Sequence, residues 1–98
     1  MPEPLASFDY QPHVAIVTGA AQGIGYSIAT RLADDGINIA LNDIPSKLET
    51  LKTVAAEIEK KGRKAIIVPG DVTIEKDVIA MVETTANELG SVDIVSLN

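Results

Sequence analysis

An alternation of two kinds of segment limits what this chain can fold into. Four short apolar runs, "HVAIVT" (13–18), "INIAL" (37–41), "KAIIVP" (64–69) and "DIVSL" (93–97), are separated by three longer segments. The runs are rich in Ile and Val, which suits strands covered on both faces. Between them, Ile24, Ile28, Ala29 and Leu32 follow helical spacing, as do Leu48, Leu51, Ala55 and Ile58. In the third segment Val78, Met81, Val82 and Leu89 form the expected inward face. Gly36, Gly62 and Gly90 stand where each helix would stop. Ser46 with Glu49 three residues on reads as a capping box for the second helix. Thr73 reads as the cap of the third, with Glu75 placed to favour the helix dipole. The order β-α-β-α-β-α-β with short connections demands a parallel sheet with right-handed crossovers. The expected fold class is α/β, a Rossmann-type doubly wound parallel sheet with strands in the order 3-2-1-4.

Composition narrows the function. Phe8, Tyr10 and Tyr26 are the only aromatic residues of the 98, so Ile, Val, Leu and Ala must build the core. A formal net charge of −6 argues against nucleic acid as a partner. Cysteine is absent, which removes disulfides, a thiolate nucleophile and a zinc ribbon, and no other metal centre is expected. No apolar run approaches the ~18 residues of a membrane span. The opening "MPEPLASFDYQP" has acidic but no basic residues, unlike a secretory or transit peptide, and a cytoplasmic protein is the default. Residues 1–12 read as a flexible N-terminal arm, from which Phe8 or Tyr10 could pack back, and residues 13–98 as the folded domain.

The glycines of "VTGAAQGIGYS" (17–27) sit where the first strand would pass into the first helix. In an open parallel sheet, ligands bind beyond the carboxyl ends of the strands, where the strand order reverses. A phosphate there needs bare backbone N–H groups and gains from the positive end of a helix. Gly19 would make the turn, Gly23 would let the backbone approach a ligand, and Gly25 would let helix pack on strand. The spacing is G-x-x-x-G-x-G, so neither the G-x-G-x-x-G fingerprint nor a P-loop with its lysine is present. Asp43 supplies an independent sign. It ends the second strand 18 residues after Gly25, where a carboxylate can accept hydrogen bonds from ribose hydroxyls and repel a 2′-phosphate. NAD is therefore favoured over NADP, although Lys47 stands nearby. Asp43 could instead be an exposed turn acid. Asp71, in "PGDVT", could accept from an adenine amino group or serve as a helix-start acid.

T-G-x-x-x-G-I-G after strand 1, Asp43 after strand 2, Asp71-Val72 after strand 3 and "DIVSLN" at strand 4 resemble the short-chain dehydrogenase/reductase superfamily over residues 13–98. The chain looks most like NAD-using acetoin/diacetyl reductase-like or polyol dehydrogenase-like members. The resemblance implies that Gly19, Gln22, Gly23, Ile24 and Gly25 line the pyrophosphate and nicotinamide-side ribose. It implies that Asp43 and Ile44 hold the adenosine ribose, that Asp71 and Val72 flank the adenine, and that Asn98 matches an asparagine of the family's N-N-A-G motif. Leu97 departs from that motif's first asparagine.

Hydride transfer in that family uses a serine, a tyrosine and a lysine four residues after the tyrosine. An unperturbed phenol is a poor base at neutral pH, so the cation is a chemical requirement. Tyr10 is followed four on by Val14 and Tyr26 by Thr30, and no catalytic residue is assigned. His13 reads as an ordinary surface residue. The expectation is the N-terminal dinucleotide-binding part of an oxidoreductase, truncated after strand 4 and inactive alone. The alternative is a non-catalytic nucleotide-binding or interaction module. In either case the outer edge of strand 4, with Ile94, Val95 and Leu97, is a surface for self-association.

Overall fold

The computed structural model describes residues 11–98. The predicted arm lies outside the described residues except for Gln11 and Pro12, and so do Phe8 and Tyr10. Strands β1 (Val14–Val17), β2 (Asn38–Leu41), β3 (Ala65–Ile67) and β4 (Ile94–Ser96) form one sheet in the order β3-β2-β1-β4. Every neighbouring pair is parallel. Helices α1 (Gly23–Asp34), α2 (Leu48–Lys60) and α3 (Glu75–Leu89) make the crossovers, and a 3-10 turn over Pro45–Lys47 leads into α2. Both the element order and the strand order are those expected from the alternation.

Side chains alternate across the sheet, and the two faces receive different cover. Ala15, Val17, Ile39 and Leu41 pack with Ala29 and Ala33 of α1 and with Leu51, Val54, Ala55 and Ile58 of α2. On the opposite face Ile16, Ala40, Val68 and Met81 form a smaller cluster under α3. The helix faces follow from this asymmetry. Met81 and Thr85 of α3 are buried, Val78 and Leu89 are half-buried, and Val82 is exposed. The inward assignment of Val82 is therefore corrected: it lies beyond the cluster, toward β4, where the described residues offer little cover.

Two predicted caps are also corrected. Pro45 opens the 3-10 turn, so α2 starts at Leu48 with Lys47 as its N-cap, and no side chain caps it. Ser46 lies inside that turn and cannot cap. For α3 the N-cap is Ile74, without a side-chain bond. The Thr73 hydroxyl points back to the Asp71 carboxylate instead, at 2.6 Å. The C-terminal stops match expectation, with Gly36, Gly62 and Gly90 all at positive φ.

Candidate functional site

The carboxyl ends of the four strands converge on one open cleft. β1 leaves the sheet at Thr18 and the chain turns at Gly19, whose φ is +61°. A second positive φ, +64°, falls at Gly23, and apart from its chain neighbours and its own helix backbone nothing lies within 4 Å of where a Cβ there would stand. Gly25 is the reverse case. A Cβ on it would stand 2.1 Å from the Gly19 carbonyl oxygen, so only glycine lets α1 pack this tightly on the corner. Space is left open at Gly23 and closed at Gly25.

No side chain of α1 itself compensates the positive dipole at its start. Its N-cap, Gln22, makes no side-chain capping bond, and its first turn holds no acidic residue. By contrast α3 has Glu75 and Asp77 in its first turn. The first N–H groups of any helix have no intrahelical acceptor, so α1 presents donors and positive potential together. That is the chemistry of an anion cradle.

Asp43 ties the β2 exit to this corner. Its Oδ2 accepts from the Ala21 N–H at 3.1 Å and its Oδ1 from the Ile44 N–H at 2.8 Å. The Ala20 N–H donates to the Asn42 carbonyl at 2.8 Å, doubling the link. Asn42 itself is buried, and its Nδ2 donates to the carbonyls of Val68 (2.9 Å) and Gly70 (3.3 Å). This fixes the β3 exit against β2. On the other side Asn98 donates through its backbone N–H to Thr18 Oγ1 at 2.8 Å and through Nδ2 to the Thr18 carbonyl at 2.9 Å. Thr18 Oγ1 in turn donates to the Ser96 carbonyl at 3.2 Å.

Gly19, Asp43, Ile44, Asp71, Val72 and Asn98 line the cleft, completed by Thr18, Asn42 and Gly70. Gly23 and Ile24 lie outside it, at the start of a shallow groove along α1 with Ile28 and Leu32. Ile24 is 73% exposed, so it serves no core even though it keeps the helical period. Gln22 is exposed and its Oε1 accepts from Lys47 Nζ at 3.4 Å. Gly25 is buried beneath the turn. Asp71 occupies a tight turn: its Oδ1 accepts from the Thr73 N–H at 2.8 Å and the Thr73 hydroxyl. These two bonds hold its carboxyl below the usual aspartate range. Of its two sequence readings, the turn acid before α3 is the one with bonds made, while Asp71 still lines the cleft.

Thr18 and Asn42 were missed by the sequence reading. Their signal was a polar residue closing each of two apolar runs, "HVAIVT" and "INIALN". Tyr26 is fully engaged elsewhere. Its hydroxyl donates to Glu57 Oε2 at 2.7 Å, pinning α1 to α2. That bond, then burial and the Glu57 charge, raise its pKa, the wrong direction for a general base. His13 precedes β1, at the end of the sheet away from the cleft, where its N–H donates to Asp93.

Over this geometry, the sequence profile of the short chain dehydrogenase family matches residues 13–98. The chain belongs to the short-chain dehydrogenase family. Short-chain dehydrogenase/reductase eriH of Hericium erinaceus is 49% identical over 87 residues, covering 87% of this chain and 34% of its own. A hydroxysteroid dehydrogenase from Escherichia coli superposes with a TM-score of 0.81 at 34% identity, covering 88% of this chain and 36% of that one. L-sorbose reductase from Gluconobacter frateurii, solved with NADPH and L-sorbose, gives 0.78 at 32% identity and covers 87% and 32%. The chain thus spans about a third of the length of the short-chain dehydrogenases it matches, consistent with an N-terminal nucleotide-binding part. Among the described residues no helix is long and apolar enough to cross a membrane.

Proposed function

We propose that these residues are the dinucleotide-binding part of an NAD-preferring oxidoreductase that interconverts a carbonyl and an alcohol. One observation carries the reading: the Asp43 carboxylate bonds the glycine corner directly, beside a helix start with neither cap nor acid. An anion cradle and a ribose acceptor therefore share one edge of the sheet. The N–H groups at the start of α1, with Gly19 and Gln22, hold the diphosphate. Asp43 and Ile44 take the adenosine ribose, Asp71 and Val72 flank the adenine, and Asn98 steadies Thr18 beside the nicotinamide-side ribose. The bound nicotinamide supplies or accepts the hydride. The chain's own residues bind and orient it.

Substrate choice lies outside this portion. A ketose reductase and a hydroxysteroid dehydrogenase share its fold at 32% and 34% identity, so strands and corner alone do not select between a sugar and a steroid. Calorimetric titration with NAD and NADP tests the reading. NAD is expected to bind more tightly, and Asp43→Asn to shrink that preference by about 10-fold, the scale of a charge-assisted hydrogen bond. Equal affinities in the parent chain would refute the role given to Asp43. Mixed with NADH and a panel of ketones, the 98 residues alone are expected to give no turnover, because neither Tyr10 nor Tyr26 has the required lysine.

The β4 edge supports a second element of the proposal. Val95 and Leu97 are 51% and 75% exposed, and among the described residues β4 pairs only with β1. We assign this edge to self-association of the chain. Concentration-dependent sedimentation is the expected result, and Val95→Lys should shift it toward monomer.

A further inference from the structure

Two polar bonds join α1 to α2 along one seam. In the first turn of α1 the Tyr26 hydroxyl donates to Glu57 Oε2 at 2.7 Å, and at its last residue Asp34 Oδ1 accepts from Lys61 Nζ at 2.6 Å. The two ends of α1 differ in what else holds them. At the far end the N–H groups of Asp35, Gly36 and Ile37 all donate back to carbonyls of the helix. At the cleft end no side chain caps the helix, and the Tyr26 N–H closes the first turn on the Gln22 carbonyl at 3.4 Å, longer than a usual backbone bond. The end that must present donors is therefore the one its own backbone holds less tightly.

Tyr26 makes up for this. Its half-buried ring packs against the larger core cluster, and its carbonyl accepts from the Thr30 hydroxyl at 3.1 Å. Its own hydroxyl reaches α2, the helix that follows the Asp43 turn. The cradle side and the ribose side of the cleft are thus tied at the rim by Asp43 and Ala21, and on the flank by Tyr26 and Glu57. Tyr26 does not line the cleft itself.

We propose that Tyr26 is a positioning residue for the anion cradle: through Glu57 it fixes the stance of the first turn of α1, so that the N–H groups there stay aimed at the diphosphate. This deepens the proposed function and rests on it. The tie also has an alkaline limit. The Glu57 bond, then burial and the Glu57 charge, raise the phenol above its ordinary 10.0, while the nearby Lys61 acts the other way. Lys61 and Asp34, paired with each other, are the other charges on the seam. A tyrosinate has no proton to donate and repels the Glu57 carboxylate, so the tie is complete below the ordinary phenol value and lost as pH rises through the folded one.

Titrations with NADH, ADP-ribose and adenosine test this on the parent chain, Tyr26→Phe, Glu57→Gln, Glu57→Ala, the double variant Tyr26→Phe with Glu57→Ala, and Lys61→Met. Tyr26→Phe should weaken NADH and ADP-ribose about 5-fold, within the worth of one hydrogen bond to a charged group, and move adenosine, which has no phosphate, much less. Glu57→Gln keeps an acceptor and should retain most of the affinity. Glu57→Ala should match Tyr26→Phe, and the double variant should lose no more than either single one. Lys61→Met breaks the other bond of the seam and should leave NADH affinity at the parent level. In the parent chain NADH affinity should fall as alkali ionises Tyr26, a step that Tyr26→Phe should lack. Equal losses for adenosine and NADH would mark a general loosening of the helix pair and overturn the assignment, as would a loss in Lys61→Met as large as in Tyr26→Phe. Circular dichroism separates a folding defect from a binding one, and Glu57→Ala removes the same bond from its other end. Unchanged NADH affinity in a folded Tyr26→Phe sinks this inference alone. Failure of the parent chain to bind any dinucleotide sinks the proposed function and this inference together.

Discussion

The two faces of the sheet are finished to different degrees. Under α1 and α2, the strand residues Ala15, Val17, Ile39 and Leu41 are all fully buried and meet a continuous helix surface. Under α3, the buried apolar cluster is the smaller set Ile16, Ala40, Val68 and Met81, and beside it Val82, Val95 and Leu97 remain exposed. Among the described residues one layer is covered in full and the other in part. The glycine corner lies on the finished side, because α1 both begins at the cleft and packs on that face. Rigidity is thus concentrated where backbone donors must be held in place, and the unfinished surface lies across β4.

Substitutions can break or sharpen this contrast. The largest effect is expected at Leu51, fully buried on the finished face: Leu51→Ala should cost about 3 kcal/mol in chemical denaturation. Gly25→Ala comes next. It places a methyl group against the Gly19 backbone and should cost about 2 kcal/mol while abolishing dinucleotide binding, because α1 must move off the corner. Full binding by this variant would show that close packing of α1 is not what shapes the cradle. Asn42→Ala leaves the Val68 and Gly70 carbonyls without their donor and should cost about 1–2 kcal/mol. On the unfinished face Val82→Ser should change stability by no more than about 0.5 kcal/mol. A loss there as large as that of Leu51→Ala would erase the contrast.

The smallest effect concerns pH. Asp71 has a folded-state pKa below its ordinary value of 3.8, because the Thr73 hydroxyl and N–H favour the carboxylate. A depressed carboxyl contributes stability above its unfolded pKa, and that contribution fades as pH falls through the folded value. Carboxyl NMR of Asp71 should therefore show a midpoint below 3.8, and Thr73→Ala should bring it back toward 3.8. Tyr26 has the opposite sign. Its raised pKa means the Glu57 bond contributes fully below the ordinary phenol value and is lost as pH rises through the folded one.

Much of this was legible because periodicity and glycine placement are local signals. Alternating runs gave the strand order, and the spacing from Gly25 to Asp43 joined two loops now bridged by the Ala21 bond. What local spacing could not supply were bonds between distant segments. Asn98 and Thr18 lie 80 positions apart, and Asn42 reaches 26 residues to Val68. Capping failed for a related reason. Ser46 and Glu49 satisfy the spacing of a capping box, yet Pro45 draws Ser46 into a tighter turn first. Ile24 shows the limit of periodicity, which marks an apolar stripe without saying whether anything lies against it.

The polar ties between β1 and β4 also bear on the order of assembly. Thr18 at the exit of β1 is clasped by Asn98, and at its entry the N–H groups of His13 and Val14 are taken by Asp93. β1 is therefore clamped at both tips by residues 79 or 80 positions further along the chain. Such long loops close slowly. A nascent chain halted before Asn98 would have every glycine of the corner in place, tied to β2 through Asn42 and Asp43, but would lack the clasp on Thr18.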